Sequence, residues 1–91
     1  MKMSWIRRID INARHIKTAD DFHDEAEGFA NIDGYGRNLD ALYDELTQSS
    51  DLLVIENSEY LAKNLGEYGE KIVQTINDAA DNNDMLTVLW A

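Results

Sequence analysis

Leu52-Leu53-Val54-Ile55 runs unbroken between Asp51 and Glu56. An aliphatic run of this length without polar alternation suits a strand buried on both faces, like an inner strand of a parallel sheet. Gln48-Ser49-Ser50-Asp51 interrupts the pattern that precedes it. Upstream, Leu39, Leu42 and Leu46 recur at helical spacing and predict a helix over 38–46. Before it, Asn31-Ile32-Asp33-Gly34-Tyr35-Gly36 reads as a loop. Earlier still, Thr18 is placed to cap a helix over 19–30, with Asp20 and Asp21 in the first turn, where the helix dipole favours anions. Its buried stripe is Ala19, Phe22, Ala26 and Phe29.

Downstream of the central run, a short helix is expected over 59–65, between Ser58 as a cap and Gly66 as a stop. A longer helix follows over 67–81, with Ile72, Val73, Ile76, Ala79 and Ala80 turned inward, and Asn82-Asn83 ends it. Both ends of the chain read as strands, Trp5 to Ile11 and Met85 to Trp90, with Trp5 and Trp90 expected in the core. Three strands joined through helices predict one α/β domain over residues 1–91: a small three-stranded parallel sheet packed with about four helices.

Composition narrows the function. The chain has no cysteine, so disulfides and thiolate chemistry are excluded. MKMSWIRRIDIN lacks the apolar run of a signal peptide, and no stretch nears the ~20 apolar residues of a membrane span, so a soluble cytoplasmic protein is expected. Eighteen acids against eight bases give a net charge of −10. Five of the bases fall within the first 17 residues, and from Thr18 onward three bases face seventeen acids. Such a surface repels nucleic acid and attracts a cationic partner, the more so at low salt.

The helix over 38–46 carries two faces. Leu39, Leu42 and Leu46 fall within about 60° on the helical wheel and turn to the core. Asp40 and Asp44, four residues apart, share the opposite side, with Tyr43 at the edge of the apolar stripe. Arg37 is spaced to reach Asp40, which on a purely structural view leaves a solvated face with one local ion pair. His15 falls in a loop and His23 beside the stripe of the first helix, and no Ser or Cys nucleophile is tied to either. A metal site from Asp40, Asp44 and Glu45 is disfavoured, since Glu45 points about 100° away from Asp44. Gly34-Tyr35-Gly36 lacks the lysine and further glycine of a phosphate loop. No catalytic set, metal or cofactor is expected.

Tyr35-Gly36-Arg37-Asn38-Leu39-Asp40-Ala41-Leu42-Tyr43-Asp44-Glu45-Leu46-Thr47 resembles the signature of the barstar family, the intracellular inhibitors of barnase-type ribonucleases. Similarity extends to Ile11-Asn12, Ile16, Asp21 and His23, to Leu53-Val54-Ile55-Glu56, and to Gln74 through Ala79 with Thr87-Val88-Leu89. The resemblance implies the same three-stranded parallel fold and a non-enzymatic inhibitor of a secreted, basic, guanyl-specific microbial ribonuclease, bound one to one. It implies that the second helix and the loop before it face the enzyme. Asp44 would be the central anion, standing where a substrate phosphate sits among the ribonuclease's cationic groups, and Asp40 would meet a second base or guanine-site donors. Asn38, Gly36 and Tyr35 would contribute from the loop and helix start. Tyr43 matches a family Trp, and Asp78 a family Glu at the interface rim. Gly34 stands where an aromatic contact residue is expected, and Asp78 is one methylene shorter than Glu; these departures point to a partner other than barnase or to weaker inhibition. The other reading is an acidic adaptor of the same fold that binds a different basic protein.

Overall fold

The computed structural model describes residues 7–30 and 34–91. Trp5 and Ile6, expected in the first strand, and Asn31-Ile32-Asp33 of the expected loop lie outside the described residues. The elements follow in the order β1 (Arg8–Asn12), a 3-10 turn (Ala13–His15), α1 (Ala19–Phe29), α2 (Leu39–Thr47), β2 (Leu52–Glu56), α3 (Glu59–Leu65), α4 (Glu67–Asp81) and β3 (Thr87–Trp90).

The sheet has the order β1-β2-β3 and both pairings are parallel. Leu53, Val54 and Ile55 are all buried, as the unbroken aliphatic run requires of a central strand. In register, Ile9 and Ile11 lie beside Leu53 and Ile55, and Val88 beside Leu53. That face joins the core with Phe22, Ala26 and Phe29 of α1, Leu42 and Leu46 of α2, Leu61 of α3 and Ile72, Ile76 and Ala79 of α4.

Capping explains where the helices start. Thr18 Oγ1 accepts from Asp21 N at 3.1 Å while Asp21 Oδ2 accepts from Thr18 N at 3.2 Å, a complete capping box for α1. Asn38 Oδ1 accepts from Ala41 N at 2.7 Å and opens α2. Two expectations at element boundaries are corrected. Ser58 occupies the N-cap of α3 in an already helical conformation, and its side chain makes no capping hydrogen bond. β3 starts at Thr87, because Asn83 to Leu86 form a turn closed by Leu86 N on the Asn83 carbonyl at 3.1 Å. Trp90 is a third correction. It is 36% exposed, at the margin of the sheet, and its Nε1 donates to Asn77 of α4 at 3.1 Å.

One ion pair staples the strand beginnings together. Asp51, 4% exposed, accepts Arg7 Nε at 3.3 Å and a terminal guanidinium nitrogen at 3.1 Å, while Arg7 also donates to the Phe29 carbonyl. The Asp51 carbonyl accepts from Thr87 N at 3.1 Å, tying β3 to the same point. Asp51→Ala strands a half-buried guanidinium and is expected to lower stability by about 2 kcal/mol, less than the ~3–5 kcal/mol of a fully buried pair because Arg7 keeps some water. Denaturant unfolding with an unchanged m-value reads this directly.

Candidate functional site

Residues 34–38 lead into α2 through a backbone that few sequences adopt without help. Gly34 has φ +72° and Arg37 has φ +55°, both in the left-handed region. For Gly34 that costs nothing; for Arg37 it is strained and must be held. The guanidinium supplies the hold. It pairs with Asp24 at 2.9 Å, Glu27 at 3.1 Å and Asp20 at 3.5 Å, all on α1. The expected pairing of Arg37 with Asp40 is therefore corrected, since the left-handed backbone sends the side chain back toward α1. These three acids hold the guanidinium protonated above its ordinary range, the hydrogen bond it donates to Asp24 first among the causes.

With Arg37 turned away, no base among the described residues pairs with Asp40 or Asp44. Both carboxylates are exposed and share one side of α2. Together with Gly34, Tyr35, Gly36, Asn38, Ala41 and Glu45 they line a cleft of about 350 Å³. Gly36 is in close quarters there, because a Cβ would stand 3.3 Å from Asn38 Nδ2 and 3.4 Å from the Ala41 methyl. Asn38 has both ends of its amide engaged, Oδ1 on the helix start and Nδ2 donating to the Gly36 carbonyl at 3.3 Å.

Tyr35 is half-buried at the inner wall. Its hydroxyl meets His23 Nδ1 at 2.8 Å, and burial first, then the neighbouring Tyr68, drives its phenol well above the usual pKa. His23 itself is 3% exposed, a packed and hydrogen-bonded residue of α1, while His15 is exposed.

Two of the sequence-derived positions flank the cleft instead of lining it. Tyr43 is half-buried, and its hydroxyl accepts from Asn82 Nδ2 at 3.0 Å. The same amide donates to the Asp78 carbonyl at 3.0 Å, so the exposed Asp78 stands one turn from the residue that fixes Tyr43. Asn82 went unrecognised in the sequence, where it read only as a helix stop. Glu45 is the other residue missed. It is 3% exposed and lies in the cleft wall, where its charge opposes ionisation of Tyr35. Among the described residues, no group of three or more His, Cys, Asp or Glu is arranged to hold a metal ion, and no helix is long and apolar enough to cross a membrane.

This geometry offers a partner two carboxylates, unpaired among the described residues, on one helix beside a cleft of about 350 Å³. Such carboxylates can accept charge-assisted, bidentate hydrogen bonds from guanidinium groups, as a phosphate does. The family model described as barstar, barnase inhibitor, matches residues 6–90. A Bacillus subtilis (strain 168) protein carrying the name "Putative ribonuclease inhibitor YrdF" is 36% identical over 80 residues, spanning 84% of this chain and 88% of that protein.

Proposed function

Since the chain belongs to the barstar family, we propose that it inhibits a ribonuclease by laying loop 34–38 and α2 over a cationic active site. The target is a secreted, basic, guanyl-specific ribonuclease, bound one to one while the inhibitor guards the cytoplasm. The observation that carries this reading is the pair Asp40 and Asp44, exposed, unpaired among the described residues and opening on one cleft.

The physics follows from what a ribonuclease must be. It concentrates positive charge to hold a phosphodiester and to stabilise the charge that develops in cleavage. Asp44, near the middle of the exposed face, takes the place of the reacting phosphate, and Asp40, one turn earlier, engages a second base. Asn38, Gly36 and Tyr35 shape the cleft that receives a protruding group, while Tyr43 and Asp78 form the flank. The chain supplies no chemistry of its own and acts by occlusion. Because α2 and the capped loop are already ordered, binding avoids most of the entropy that a flexible acidic tail would lose. The charge of −10 steers a basic enzyme into encounter.

Titrating the protein into RNA cleavage by guanyl-specific ribonucleases tests the proposal. The expected result is stoichiometric loss of activity, with association slowing as salt rises. No inhibition of any such enzyme, together with tight one-to-one capture of a different basic protein, overturns it in favour of the adaptor.

A further inference from the structure

Behind the loop that lines the cleft, side chains from three parts of the fold meet in one row. His23 Nδ1 lies 2.8 Å from the Tyr35 hydroxyl in the loop, and Nε2 lies 2.6 Å from the Tyr68 hydroxyl on α4. The imidazole is nearly sealed from solvent, with Phe22 edge-on at 5.5 Å and Tyr68 at 6.0 Å between ring centres. A neutral imidazole offers one donor and one acceptor nitrogen. Whichever tautomer is present, one tyrosine donates to the ring and the other accepts from it. The row α4–α1–loop is then complete.

We propose that His23 and Tyr68 are positioning residues for the ribonuclease-facing loop: acting through Tyr35, they hold the cleft in its receptive shape, an inference that rests on the inhibitor reading above. Two polar anchors hold Tyr35 and Arg37 to α1 among the described residues. The Arg37 anchor sits at the surface, where salt screens it and water competes. The Tyr35 anchor is internal and escapes both effects. Tyr68 does not line the cleft, so its influence on a docked partner passes through His23 and Tyr35.

The ring's titration supplies a readout that packing alone does not. Burial lowers the His23 pKa below 6.5, the Arg37 charge pushes the same way, and Asp20 opposes both. The groups facing the row are Asp20 from α1, Tyr35 and Arg37 from the loop, Tyr68 from α4, and, beyond Tyr35, Glu27 of α1 and Glu45 of α2. A folded pKa below the unfolded one means that this stabilisation is full above about 6.5 and is lost as pH falls through the folded value. A protonated ring donates from both nitrogens, so the tyrosine that had donated must turn its hydrogen away and accept, and the charge now buried on the ring weighs against the closed row.

Tyr68→Phe and His23→Gln, a neutral side chain with one donor and one acceptor, provide the test. Amide exchange at residues 34–38 is measured in the free protein from neutral to mildly acidic pH, and inhibition of the target ribonuclease is measured alongside. In Tyr68→Phe, loop exchange is expected to rise about three- to tenfold while sheet amides stay unchanged, and inhibition weakens by a similar factor. The wild-type loop is expected to loosen as the medium turns acidic, and His23→Gln to abolish that response. Wild-type loop exchange in both variants overturns the proposal. So does a loosened loop with inhibition at full strength. A wild-type protein that inhibits no ribonuclease sinks the inhibitor reading instead, and exchange in the free protein still decides whether the row holds the loop.

Discussion

Replacing Asp44 with alanine is expected to weaken ribonuclease binding by about 2–5 kcal/mol, roughly thirty- to several-thousand-fold in Kd. That is the range for truncating one member of a buried, hydrogen-bonded charge pair, and the barnase–barstar complex is itself one of its sources. Much of the loss comes from the enzyme's side, where cationic groups stay buried under the inhibitor without their anion. The free inhibitor should respond in the opposite direction. Asp44 stands four residues after Asp40, in the C-terminal half of α2, where a like charge and the helix dipole both oppose it. Its removal should therefore raise stability by a few tenths of a kcal/mol. Glu59→Ala, in the first turn of α3 and away from the cleft, serves as the control and should change binding by close to nothing. Competitive inhibition assays on both variants, paired with thermal unfolding, separate the two effects. Equal binding losses at the two positions would place the interface elsewhere.

The exposure of Asp40 and Asp44 is legible in the sequence because it is local. Helical spacing puts Asp40 and Asp44 opposite Leu42 and Leu46, and the structure keeps both exposed. The strands and α1 are legible for similar reasons: the aliphatic run of β2 and the Thr18 cap with its first-turn acids are patterns within a few residues. What escaped depends on distant chain or on unusual backbone. The Arg37–Asp40 expectation assumed helical geometry at Arg37, whose left-handed φ reverses the direction of its side chain. His23 meets Tyr35 across 12 residues and Tyr68 across 45, and no periodicity announces a contact of that span. The burial of Glu45 has the same origin, since it needs the loop folded beside α2 to form the cleft. Trp90 was misplaced because aromatic character in a strand predicts a neighbour without saying whether the sheet ends there.

Gly69→Ala carries the largest expected effect on folding, and helix propensity alone gets its sign wrong. Gly69 lies in the first turns of α4, where alanine is ordinarily favoured over glycine by roughly 0.5–1 kcal/mol. Here a Cβ would stand 2.0 Å from the Leu61 carbonyl oxygen, 2.3 Å from its carbon and 2.8 Å from Ala62 N. All three are backbone atoms of α3, so no rotamer change relieves the overlap, and the two helices must part. Parting them opens space around Leu61 and Ile72, both fully buried, and adds cavity loss to the clash. A net loss of about 3 kcal/mol or more is expected, against a propensity gain of at most ~1 kcal/mol. For a domain of this size each kcal/mol moves Tm by about 4–8 °C, so a fall of roughly 12–24 °C should appear in a thermal melt. The next residue back is Tyr68, and the far end of the same helix holds Asn82 against Tyr43. A displaced α4 should then weaken inhibition even at temperatures where the variant remains folded, as a loss distinct from the unfolded fraction. A variant as stable as the parent would mean that α3 and α4 do not cross at this distance.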